Sequence, residues 1–152
     1  EALAENNDAC MFVTLFCAVV NLSTGETRYA NAGHNPPILW RAHGALEWIR
    51  APYGTAAGPM PDMVYETGHL QLENGDALLL YTDGVNEAMD ANNCEYGNDR
   101  LIAHLNACGT LRAEACLQTL LDDLRLHAGE APQSDDITMM MFRKKAPRAP
   151  HD

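Results

Sequence analysis

Three carboxylates stand where they could do chemistry. Asp83 follows the apolar segment Ala77–Tyr81 and precedes Gly84, so it sits where a strand ends and the chain turns sharply. Asp135 and Asp136 precede another apolar segment, Ile137–Phe142, and so occupy a second strand end. Connections at strand ends collect functional residues. Adjacent acids repel, and a hard divalent cation between them offsets that cost. Oxygen ligands alone select Mg2+ or Mn2+, with waters completing the coordination. On spacing alone a plainer role is the better reading, because Asp-Gly forms turns and an acid pair before a strand is an ordinary loop sequence.

Other chemistries lack their residues. Cys10, Cys17, Cys94, Cys108 and Cys116 are odd in number, with no Cys-x-x-Cys and no Cys/His pairing at zinc spacing. They fit a reducing cytoplasm, and three of the five sit among apolar residues as small buried hydrophobes would. There is no Cys-x5-Arg loop and no Gly-x4-Gly-Lys-[Ser/Thr] loop for nucleotide phosphates. Ser134 and Thr138 read as turn and strand residues rather than nucleophiles. Met139, Met140 and Met141 read as strand packing rather than a soft-metal site. Asp83 as the phosphoacceptor of a receiver domain fails on architecture: receivers alternate strand and helix and use a late lysine, whereas the lysines here are Lys144 and Lys145 at the tail.

Charge narrows the partners. The 152 residues carry a formal charge of −11, and four of the ten cations, Arg143, Lys144, Lys145 and Arg148, crowd the C-terminal end. Residues 1–142 therefore hold six cations against twenty acids, a balance of −14. Such a surface repels polyanions, so nucleic acid is excluded as a partner. The longest stretch free of charged residues, Ala9–Gly25, is interrupted by Thr14, Asn21, Ser23 and Thr24, which leaves no membrane span. Glu1–Asp8 is acidic and polar, unlike an export signal.

The elements that must position the acids come first as strands. Met11–Val20 is a near-continuous apolar run, expected as a central strand buried on both faces. It forms a hairpin through Ser23-Thr24-Gly25 with Thr27–Ala32. Ile38–Trp40 and Leu46–Ile49 form a second hairpin, with Trp40 and Trp48 facing each other. Residues 51–62, with Pro52, Gly54, Gly58, Pro59 and Pro61, form a surface loop. Val64–Leu72 and Ala77–Tyr81, joined by Glu73-Asn74-Gly75-Asp76, make a third hairpin. Leu101, Ile102 and Leu105, then Leu117, Leu120, Leu121 and Leu124, recur at helical spacing and predict two amphipathic helices. Cys108-Gly109-Thr110 divides them, with Thr110 as N-cap, and Gly129 with Pro132 closes the second. Ile137–Phe142 is the last strand. Hairpins, two helices and a strand make an α+β domain of antiparallel sheets with segregated helices over residues 1–143, and residues 144–152 form a basic flexible tail.

Four segments together resemble one family. MFVTLF (Met11–Phe16), YANAGHNPP (Tyr29–Pro37), LLLYTDGVNEAMD (Leu78–Asp90) and SDDITMMMFR (Ser134–Arg143) are similar to the SpoIIE-type branch of the PPM metal-dependent serine/threonine phosphatases. The likeness runs from about Glu1 to Arg143 in the family's own order. It implies a sandwich of two antiparallel sheets flanked by helices, with a two-metal site of Mn2+ or Mg2+ where the sheets meet. It matches Asp83 and Asp135 to metal ligands in catalytic positions, with Asp136 as a supporting acid. His34 joins them as a catalytic candidate, and Asn31, Asn35 and Gly84 as second-rank site residues. For His34 an ordinary turn role, bonded to backbone, stands beside the catalytic one.

The resemblance also implies direct attack of a metal-activated water on phosphorus, without a phosphoenzyme. The implied substrate is a phosphorylated regulatory protein such as an anti-sigma-factor antagonist, with a sensor or receiver domain upstream and a cytoplasmic location. One departure is expected to matter. The family opens with a Gly-Asp-x-x-Gly segment whose Asp bridges the metals, and nothing before Met11 supplies it; Asp8 lacks the glycines and the preceding strand. Glu1–Asn7 resembles the end of the helix that follows that segment, so the chain reads as lacking the family's first strand and helix. That departure supports a second reading, a degenerate phosphatase fold acting as a protein-binding module.

Overall fold

The computed structural model describes residues 3–4, 7, 9–109 and 111–146. Strand β1 (Leu15–Val20) pairs antiparallel with β2 (Glu26–Ala32), and β3 (Ile38–Trp40) pairs antiparallel with β4 (Leu46–Trp48). Asn21 shapes the first turn, its Oδ1 accepting from the amides of Ser23 and Thr24 at 3.0 and 3.1 Å. Strands β5 (Gly68–Gln71) and β6 (Ala77–Tyr81) follow, then helices α1 (Asp83–Asn86), α2 (Gly97–Cys108) and α3 (Ala113–Ala128), then β7 (Met139–Arg143). The strands form two antiparallel sheets, ordered β1-β2-β5 and β4-β3-β6-β7.

Alternation along β6 explains the layering. Ala77, Leu79 and Tyr81 join Ile38, Trp40 and the α2 and α3 leucines (Leu101, Leu105, Leu120, Leu124) in one buried cluster. Leu78 and Leu80 point the other way, to Leu39, Leu72, Phe16, Val20 and Phe142 between the two sheets. Successive side chains on a strand face opposite sides, so one apolar strand serves both layers. Each buried leucine contributes about 1.5–3 kcal/mol. The result is a sheet sandwich with α2 and α3 packed on the outer face of the four-stranded sheet.

Several expectations are corrected. β1 is an edge strand, not a central one, and Leu15, Cys17 and Val19 on its outer side are exposed. Apolar periodicity marks a strand but not how many of its faces are covered. Met11 and Phe12 precede the strand and are exposed as well. The third hairpin does not form: β5 pairs with β2 while β6 pairs with β3 and β7, so residues 72–76 cross between sheets. Trp40 and Trp48 are not opposite each other, because the register sets Ile38 against Trp48 and Trp40 against Leu46. Instead Trp48 meets Tyr81 edge-on and Trp40 lies under the Arg143 guanidinium.

Two cysteines rather than three are buried, Cys108 and Cys116, with their sulfurs 2.6 Å apart between α2 and α3. Burial, with Cys108 beside it, pushes the Cys116 thiol up to about 12. Thr110 lies outside the described residues, as do most of Glu1–Asp8 and residues 147–152. Met139 and Met141 pack on the core and Met140 is exposed, as strand packing requires. Lys144 extends the hold of β7: it is buried, its amide donates to Asp76 O and its Nζ to Asn74 Oδ1. Among the described residues no helix is long and apolar enough to cross a membrane.

Candidate metal centre

β6 is apolar through Tyr81 and then meets Thr82, whose extended backbone (φ −82°, ψ 159°) breaks into the short helix α1 at Asp83. The Thr82 hydroxyl makes no helix cap. It donates to Asp136 O at 2.7 Å and accepts from the Thr138 amide at 2.9 Å, while the Thr82 amide donates to Thr138 O at 3.0 Å. One threonine thus clamps the exit of β6 to the segment entering β7.

Gly84 completes the junction. A Cβ there would lie 2.6 Å from Asp136 O and 3.2 Å from Asp135 O, distances that real Cβ atoms do not tolerate or tolerate only with displacement. Glycine is required because main chain packs on main chain at that point. The two acidic corners therefore meet. Asp83, Asp135 and Asp136 are all exposed. Asp83 Oδ1 accepts from the Gly84 amide at 3.1 Å, and Asp135 Oδ1 from the Asp136 amide at 2.6 Å. Among the described residues none of the three is in an ion pair.

These are hard oxygen donors with unfilled lone pairs and, among the described residues, no cation paired with them. Among the described residues they do not join a group of three or more His, Cys, Asp and Glu side chains placed to hold a metal ion. They fit a dication such as Mg2+, which takes one or two carboxylates and keeps several waters.

Residues 31–37 link β2 of one sheet to β3 of the other. Asn31 is buried and braces the turn, with Nδ2 donating to His34 O at 2.9 Å and Oδ1 accepting from the His34 amide at 2.8 Å. Gly33 turns at φ +73°, where a Cβ would meet the Ala56 amide at 2.8 Å. Asn35 Nδ2 donates to Asn86 Oδ1 at 2.8 Å and so ties this turn to α1. The His34 ring is engaged by Thr14, its Nδ1 lying 3.2 Å from Thr14 Oγ1. The structure thus brings together Asp83, Gly84, Asp135 and Asp136, reaches them through Asn35, and uses Asn31 as a brace.

The family model described as Stage II sporulation protein E (SpoIIE) matches residues 1–145. This chain belongs to the SpoIIE family. Protein IcfG of Synechocystis sp. is 34% identical over 136 residues, covering 90% of this chain and 21% of that protein. Phosphoserine phosphatase RsbU of Bacillus subtilis is 28% identical over 142 residues, covering 93% of this chain and 42% of RsbU. The chain thus spans less than half the length of these curated relatives. The SiaA-PP2C domain of Pseudomonas aeruginosa superposes with a TM-score of 0.72 at 22% identity, covering 86% of this chain and 51% of that one. The PP2C phosphatase domain of B. subtilis SpoIIE, solved with a fragment of its regulatory domain, gives 0.78 at 17% identity, covering 95% and 41%. The expected two-sheet fold is the one these structures share.

This SpoIIE-family chain fixes the segment after α1 with a charged cluster. Asp123 of α3 receives the Arg100 guanidinium at 2.7 and 3.2 Å and the Tyr96 hydroxyl at 2.6 Å. Arg100 first, then Tyr96, holds the Asp123 carboxyl below the usual carboxylate range against the opposing effect of burial. His127 spans from Arg100 to the Cys94 carbonyl, at 3.0 and 3.1 Å. Sequence reasoning missed Thr82 and Asn86. Both stand inside the quoted LLLYTDGVNEAMD segment, but their partners lie more than fifty positions away.

Proposed function

We propose that this chain is the catalytic portion of a Mn2+- or Mg2+-dependent protein serine/threonine phosphatase. The observation that carries the reading is the main-chain contact of Gly84 with Asp135 and Asp136, which holds two solvent-facing acidic corners side by side. Asp83 and Asp135 would hold the metal, with Asp136 as a supporting acid. When bound, a hard dication lowers the pKa of water and neutralises charge on a phosphoryl oxygen. No side chain of the chain needs to be a nucleophile. Thr82 keeps the corners in register, Gly84 lets them close, and Asn35 joins the His34 turn to the helix bearing Asp83. His34 is the remaining catalytic candidate, on the turn that Asn31 braces.

The substrate class is a phosphorylated regulatory protein such as an anti-sigma-factor antagonist, in the cytoplasm, with a sensor or receiver domain upstream. The name of RsbU, a phosphoserine phosphatase, supports a phosphoserine substrate. The test is hydrolysis of a phosphoserine peptide by the full-length protein, with and without Mn2+. Asp83→Asn and Asp135→Asn are each expected to lower kcat/KM on the order of a hundredfold, the scale of removing one electrostatic partner of a transition state. Full activity in either variant removes the site assignment.

A further inference from the structure

Beside α1 lies a small cavity of about 70 Å³ that the proposed chemistry leaves unused, lined by Asn35, Trp48, Arg50, Tyr81, Asn86 and Asn98. That volume equals roughly two waters' share of the liquid, enough for one carboxylate. Arg50 is exposed, and its guanidinium carbon stands 5.8 Å from the Trp48 ring centroid. A guanidinium over an aromatic face keeps its N–H edge available for a planar anion.

Arg50, like Arg28 and Arg112, carries a guanidinium that no acid among the described residues pairs with. Arg41, Arg100 and Arg125 each pair with an acid, whereas among the described residues Arg50 has neither an ion pair nor a hydrogen bond. Residues 1–142 hold only six cations against twenty acids, so an unpaired one opening on a cavity is a local reversal of the field. The other walls are amides. Asn35 and Asn86 spend one atom each on their mutual bond, which among the described residues leaves Asn35 Oδ1 and Asn86 Nδ2 without a partner. Asn98 sits in the first turn of α2.

Position relates the cavity to the metal centre. Asn86 follows Asp83 by three residues in α1, and side chains so spaced start about 5–6 Å apart. An extended peptide advances about 3.3–3.6 Å per residue. With a phosphoryl group at Asp83, a side chain one or two residues along an extended substrate spans a distance comparable to that from Asp83 to Asn86, a wall of the cavity that Arg50 also lines.

We infer that this cavity receives an acidic side chain of the substrate, an Asp or Glu one or two residues from the phosphorylated Ser or Thr, with Arg50 as its charge partner. A carboxylate fits better than a second phosphate, because a phosphate draws several cationic donors and this cavity has one. The inference rests on the phosphatase reading above and adds a substrate preference to it.

The experiment uses the full-length protein with Mn2+ and phosphoserine peptides that differ in one residue, Glu, Gln or Lys, placed in turn at each of the positions within two of the phosphoserine. The wild type is expected to favour Glu over Gln about tenfold in kcat/KM at one or more positions, the scale of one partly exposed charge-assisted contact. Arg50→Ala removes that preference, and Arg50→Glu turns it toward Lys. Equal rates for Glu, Gln and Lys in the wild type overturn the inference, and so does a Glu preference that persists in Arg50→Glu. Both results leave the phosphatase reading standing. If the wild type hydrolyses none of the peptides with Mn2+, the phosphatase reading falls and the inference falls with it.

Discussion

The two sheets of this sandwich are finished differently. The four-stranded sheet is buried on both faces, by α2 and α3 outside and by its partner sheet inside. The three-stranded sheet is covered only on its inner side, and its edge strand shows Val19 at 64% and Leu15 at 53% exposure. Both acidic corners leave the covered sheet, one at the end of β6 and one before β7. The geometry of the proposed ligands is thus anchored to the half that carries α2 and α3, where a shift of one strand must disturb helix packing. The open sheet reaches the site through residues 31–37, where Asn35 bonds Asn86 of α1.

Core truncation should break this contrast most visibly. Leu120, fully buried under the four-stranded sheet, is expected to cost about 2–5 kcal/mol as Leu120→Ala, read from the urea midpoint. Equal tolerance in both sheets would refute the asymmetry.

The hinge between the sheets gives a smaller effect with a pH signature. Asp76 is only 2% exposed, and its carboxylate accepts from the Ala42 and Glu73 amides and from Arg41 at 2.8–3.0 Å. Arg41 also donates to Gln71 O, at the end of β5. Burial opposes ionisation of Asp76, but the Glu73 and Ala42 amides and Arg41 together outweigh it and hold the carboxyl below the usual range. A lowered folded pKa stabilises above the unfolded value, near 3.9, and that stability is lost as pH falls through the folded one. Asp76→Asn should therefore cost about 1–3 kcal/mol at neutral pH. Its unfolding free energy should also fall less steeply than that of the wild type below about pH 4. Parallel acid limbs in a pH series of urea melts would remove Asp76 from this role.

The mildest change is expected on the open side. Val19→Thr keeps a β-branched residue on an exposed face and should alter stability by no more than about 0.5 kcal/mol by the same melts. A larger loss would mean that this face is covered.

Much of the covered half was legible from the chain itself. β6, the β3–β4 pairing and the two long helices follow from period and turn residues, and the acids fall at the strand ends where pattern places them. The misreadings share one physical cause, which is that short-range patterns do not encode long-range pairing. The Glu73–Asp76 turn has hairpin chemistry, yet Asp76 is buried against Arg41 and Ala42, and this interaction carries the chain from one sheet to the other. A run such as Met11–Val20 reads the same whether one of its faces is covered or both. Thr82, the clamp of the site, is silent in sequence because its work is done on residues more than fifty positions later. Asp83 and Asp135 were legible as acids at corners, whereas the contact that joins them belongs to Gly84.

That contact makes the gap between the corners a property of the peptide backbone. Leucines and methionines beneath the sheet can exchange during evolution without resizing it, since main chain is the spacer and the Thr82 hydroxyl its fastening. A residue that brings its own carbon to position 84 would change the gauge.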